Sequence, residues 1–170
     1  MNTPPSALLS RAALLALFLT AVARGQVPAG PLEIKSVAEV ESRAEPKSAQ
    51  AGRAGVELIP ADRVVPGDRV VYTLEVRNSG ATAVDAPNFS YPVPEHMRYV
   101  ADSAVGPGAE VSYSVDGGHN FARAENLKVK GPDGKLRPAV AADYTDIRWQ
   151  LKISLKANSV AFVRFRTLVK

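Results

Sequence analysis

Pro66-Gly67-Asp68-Arg69-Val70-Val71-Tyr72-Thr73-Leu74-Glu75-Val76-Arg77-Asn78-Ser79-Gly80 reads as a turn, a strictly alternating run and a second turn. Val70, Tyr72, Leu74 and Val76 share one face; Val71, Thr73, Glu75 and Arg77 share the other. A period of two, with β-branched and aromatic residues, marks a half-buried strand. Gly67, Asn78 and Gly80 suit the positive φ angles of tight turns, so they bound it. The first four side chains are therefore expected in a core.

Outward from this run, other short segments repeat the pattern. Towards the N-terminus, residues 56–60 (VELIP) form a short strand closed by proline. Residues 32–41 (LEIKSVAEVE) allow a short helix or a strand; the alternation of Leu32, Ile34 and Ser36 after Pro31 favours the strand. Between them, residues 42–55 are polar and small with no apolar period, the composition of a mobile loop. Towards the C-terminus, Pro87 demotes residues 83–91 to an edge or bulge. Pro92-Val93-Pro94-Glu95-His96 is a rigid turn before extended residues 97–100.

Val111, Tyr113 and Val115 alternate ahead of Gly117-Gly118, and Phe121 is expected to open a return strand through Leu127 and Val129. Ile147, Trp149, Leu151 and Ile153 are expected to face inward, with Trp149 at the centre of the core. Residues 160–168 close the chain. Seven to nine short strands with frequent turns and no convincing helix predict an antiparallel β-sandwich spanning residues 32–170.

The N-terminus reads as an export signal. Arg11 precedes an uncharged apolar run of eleven residues, 12–22, and Ala21-Val22-Ala23 supplies the small-x-small pattern of signal peptidase. Cleavage is expected after Ala23 or Gly25, with residues 24–31 as an entry segment. Eleven residues fall short of the roughly 20 that a membrane-spanning helix needs. Removing residues 1–23 takes away one of the 21 basic residues and none of the 17 acidic ones, so the net charge drops from +4 to +3. The charges are dispersed, with no basic run interleaved with aromatics, so nucleic acid is not an expected partner. The absence of cysteine rules out a lipid-acylated N-terminus, thiol catalysis and disulfide support. The core alone must hold the domain, and chains of about 150 residues bury roughly 70% of their unfolded surface.

These pieces resemble, in order, the bacterial Ig-like conserved repeat domain family, the domain of unknown function numbered eleven. Val65-Pro66-Gly67-Asp68 with Val71-Tyr72-Thr73-Leu74-x-Val76-x-Asn78-x-Gly80 is similar to its opening. Pro92-Val93-Pro94-Glu95-His96-Met97-x-Tyr99-Val100 is similar to its Pro-x-Pro turn and the strand after it. Ile147-x-Trp149-x-Leu151 and Val163-x-Phe165 are similar to its closing strands. The match covers about residues 64–168. Tyr91 departs from the Asp or Asn usual in the family before the Pro-x-Pro turn, so no capping or ion-binding role carries over there. The resemblance implies an immunoglobulin-like sandwich on exported bacterial proteins, often repeated, with no catalytic residues; here there is a single copy.

Ser114-x-Asp116-x-Gly118-x-Asn120-Phe121 resembles the Asp-box, with Asn120 in place of the usual Thr. Its physical logic is a hairpin turn in which the Asp carboxylate accepts backbone N–H bonds while the aromatic packs beneath. Turn chemistry explains Ser114, Asp116, Gly118 and Phe121; carbohydrate binding is the rival reading. His96 and His119 sit on separate turns without the spacing of a metal site. Asp85, Asp102, Asp116, Asp133, Asp143 and Asp146 lie near turns but form no dense calcium loop. No nucleophile elbow, metalloprotease helix or phosphate-binding glycine loop appears. Asn88-Phe89-Ser90 fits a glycosylation sequon, which matters only in a eukaryote.

Val160, Phe162 and Leu168 fall opposite Ala161, Val163, Phe165 and Thr167. If the latter pack inward, the former make an apolar stripe beside Arg164 and Arg166. That stripe is either covered by residues 32–41 or left as an interaction surface. The expectation is a non-enzymatic, exported module with a structural or protein-interaction role in the periplasm or at the cell surface, its envelope partner unnamed and no cofactor required. The alternative is a carbohydrate- or calcium-binding accessory domain.

Overall fold

The computed structural model describes residues 31–43 and 56–170; the expected signal peptide, most of the entry segment and residues 44–55 of the expected loop lie outside them. The alternating run becomes β3 (Arg69–Asn78), a central strand. It pairs on one side with β1 (Leu32–Arg43) and on the other with β10 (Val160–Val169), both antiparallel. β2 (Val56–Pro60) extends the sheet beyond β1, and β5 (Met97–Tyr99) beyond β10, giving the order β2-β1-β3-β10-β5. A second sheet, β4-β9-β6, uses Asn88–Pro92, Asp146–Leu151 and Ala109–Ser114. β7 (Lys128–Lys130) and β8 (Leu136–Pro138) form a separate hairpin.

The two larger sheets face each other across one core. Leu74, Val76, Val163 and Phe165 of the first meet Phe89, Ile147, Trp149 and Leu151 of the second. Trp149 is fully buried, with its ring 5.9 Å from Phe89 and 6.0 Å from Phe165. Its indole N–H and the Thr167 hydroxyl have no hydrogen-bond partner among the described residues. The fold is thus an all-β sandwich. Four strands, β1-β3-β10-β5, oppose three, β4-β9-β6, which is the division of an immunoglobulin constant domain with β2 added at an edge. The chain fills this plan in its own order, because its final described strand lies beside β3 rather than at the border of the smaller sheet.

Several expectations change. Ile153 does not face inward: β9 ends at Leu151, and Ile153 is 42% exposed. The return strand from Phe121 does not form. Ala122 exchanges two backbone bonds with Tyr113, a 3₁₀ turn follows at Ala124–Asn126, and only Lys128–Lys130 is extended. Residues 32–41 do not cover the outer face of β10. They belong to β1, which extends to Arg43, and lie edge to edge with β3 in the same sheet as β10. Val71 is only 2% exposed although it faces outward. The register sets it between Glu39 and Arg166, on the face where Glu41 joins Arg166 at 2.6 Å and Arg69 at 3.8 Å. Long cationic side chains bury their stems along apolar surface, which accounts for a shielded valine there.

Candidate functional site

The Ser114–Phe121 turn continues β6, and its hydroxyl and carboxylate bond locally. The buried Ser114 hydroxyl donates to Asp116 Oδ1 (2.7 Å) and accepts from the backbone N–H of Asp116 (3.2 Å) and Gly118 (3.0 Å). Asp116 Oδ1 also accepts from the Asn120 backbone N–H (2.9 Å), and Oδ2 from the Asn120 side-chain amide (2.7 Å). Asn120 thus bonds the carboxylate twice, through its backbone N–H and its amide. The Asn120 backbone, its amide and Ser114 hold the Asp116 carboxyl well below the usual carboxylate range.

Gly118, at φ +81, is needed twice over. A side chain there would be strained, and its Cβ would come within 3.2 Å of an Asp146 carboxylate oxygen. Phe121 lies outside the core, with the Arg148 guanidinium carbon 3.6 Å above its ring. Ser114, Asp116 and Gly118 are brought together, with both Asp116 oxygens engaged within the turn, while Phe121 meets Arg148 instead.

Asp143 and Asp133 serve separate local bonds. His96 and His119 lie on different turns. Asp143 is clamped by Arg137 at 2.7 and 2.8 Å and accepts from Val140 N–H; Asp133 accepts from Lys135 N–H. Among the described residues no group of three or more His, Asp or Glu side chains could hold a metal ion, and no helix is long and apolar enough to cross a membrane.

Sequence reasoning missed two clusters. Glu110 receives Lys152 (2.7 Å) and Arg123 (2.6 Å), and these bonds, Lys152 first, bring its carboxyl down to about 2. Tyr113 stacks on Tyr144 at 4.4 Å, and its hydroxyl lies 3.1 Å from that of Tyr99. Burial, then the Tyr99 bond, push Tyr113 far above the ordinary phenol range. Only the alternation at Tyr113 signalled the second cluster; the first joins β6, a loop and the chain beyond β9, which no local pattern announces.

The outer face of the five-stranded sheet is the other candidate. Register places Val160, Phe162, Arg164, Arg166 and Leu168 on it together. The arginines split the expected stripe. Arg164 donates to the Thr73 hydroxyl (3.0 Å) and Arg166 to Glu41 (2.6 Å), separating Leu168 from Val160 and Phe162. Phe162 is 56% exposed beside Glu75, and Val37, on the same face across β3, is 57% exposed. Glu75 in turn accepts from Arg77 at 3.2 Å. No family model, curated protein or solved structure matches the chain.

Proposed function

We propose that the chain is an exported, non-enzymatic β-sandwich module of the Ig-like conserved repeat kind, which contacts another protein in the cell envelope. Exposed Val37 and Phe162 on an ordered sheet face carry this reading. An aromatic side chain held more than half in water, beside the Glu75–Arg77 ion pair, is an anchor of the type that protein interfaces use. The apolar run at residues 12–22 followed by Ala21-Val22-Ala23 supports export. The self-contained bonding of Asp116 supports a structural role for the Asp-box-like turn over calcium or glycan capture.

The test is a side-by-side capture experiment from envelope extract with immobilised protein and its Phe162→Asp variant. A defined protein retained by the native chain and lost by the variant is the expected result. Identical retention by both, or none by either, overturns the reading.

A further inference from the structure

The large sheet has an incomplete edge. β2 accompanies β1 only from Glu39 to Arg43, and Ala61 N–H adds a bond to Ala38 C=O at 3.2 Å. Beside residues 32–37 no strand pairs on that side among the described residues. The direction of the unpaired groups follows from two observations. Ala38 C=O points towards β2, so alternation turns the N–H and C=O of Ser36, Ile34 and Leu32 the same way. Asn78, opposite Leu32, directs both of its backbone groups away from β1, to Ser159 and Asn158.

The other sheet borders are blunted. β5 has three residues, and the chain after it bonds Arg166 and Arg164 through Val100 and Val105. β4 is flanked by Pro87 and ends in Pro92, β2 ends in Pro60, and β6 is engaged at Tyr113 by Ala122. Proline and short or interrupted pairing are usual protections of an edge; residues 32–37 have neither proline nor bulge and carry only the charges of Glu33 and Lys35.

We propose that a second copy of this chain pairs antiparallel with the open half of β1, about a two-fold axis at Ile34. Hydrogen bonds can be exchanged only between residues whose backbone groups point outward, so Ile34 can face Leu32, Ile34 or Ser36 of the second copy. Facing Leu32 sets Glu33 against Glu33, and facing Ser36 sets Lys35 against Lys35. Facing Ile34 sets Glu33 against Lys35 on both sides of the axis. These are non-hydrogen-bonded pairs, where opposing side chains approach most closely, so charge decides the register. Glu33 and Lys35 are both exposed, and neither has an ion-pair partner among the described residues. Pro31 falls opposite Val37, where its missing N–H is harmless, because that position's backbone points towards β3 and its carbonyl already accepts from Ser79. The interface is isologous, as a two-fold pair requires, and joins two five-stranded sheets into one.

The test is sedimentation of the purified protein over a concentration series, with charge variants. The native chain is expected to dimerise, and Glu33→Lys or Lys35→Glu, each creating like-charge pairs twice over, to weaken the dimer roughly tenfold or more. The double exchange Glu33→Lys with Lys35→Glu restores it, and so does mixing the two single variants, because each copy then faces its opposite charge. A native chain that stays monomeric overturns the proposal. So does a dimer indifferent to both single variants, including one that dissociates only with Phe162→Asp.

Discussion

The Ser114–Phe121 turn and the open half of β1 are opposite ways of arranging polar groups. In the turn, one hydroxyl and one carboxylate find their partners within the same eight residues. Along residues 32–37, backbone groups on one side have no partner among the described residues, and Glu33 and Lys35, across from Arg77 and Glu75, form no close ion pair there. The first arrangement is a recognisable motif because its bonds are local. The second is not a motif at all, since openness depends on where distant strands stop.

Substitutions can break or sharpen this contrast, and the core sets the scale. Trp149→Ala should cost about 3–5 kcal/mol in urea unfolding, as deletion of a buried indole does. Trp149→Phe should cost markedly less, because it also removes a buried N–H that has no acceptor. Ser114→Ala comes next, at about 1 kcal/mol, since it removes the buried hydroxyl that donates to Asp116 and accepts from two part-buried backbone N–H groups. A loss near zero there would mean that the turn does not depend on its internal bonds.

Phe162→Ser should leave stability within about 0.5 kcal/mol while abolishing capture of the partner, as for an exposed side chain kept for contact. A large loss of stability would place Phe162 on the structural side of the comparison. The smallest effect is expected from pH. Glu110 has its folded pKa depressed to about 2 from 4.5, so its contribution is full above pH 4.5 and fades as pH falls towards 2. Glu110→Gln should flatten that part of the melting-temperature profile and lower the melting temperature slightly at neutral pH, where the native contribution is full.

Much of the sandwich was legible because β3, β9 and β10 alternate strictly and their inward residues are large. Val70, Leu74, Val76, Ile147, Trp149, Leu151, Val163 and Phe165 are all buried. The Asp-box-like turn was legible for the same reason: its bonds span few residues. Alternation failed where something non-local ended or covered a strand. Ile153 continues the period of β9, yet no ladder supports it. Val71 has an outward parity, yet it lies on the face of the Arg166–Glu41–Arg69 ion pairs. Phe121 looks like the start of a strand, but Arg148 holds its ring outside the core. Pairing of β1 beside β3, rather than over β10, is a choice between long-range contacts that periodicity does not encode.

The place of β10 has a consequence in time. It sits between β3 and β5, yet it follows every other described strand in the chain. Until residues 160–169 are available, β3 lacks its neighbour on that side, and Phe165 is missing from the stack on Trp149 and Tyr72. Pairing of such distant segments carries the loop-closure cost that makes high-contact-order folds slow. Completing the first sheet therefore depends on a pairing between segments far apart in the chain, residues 69–77 with 160–168.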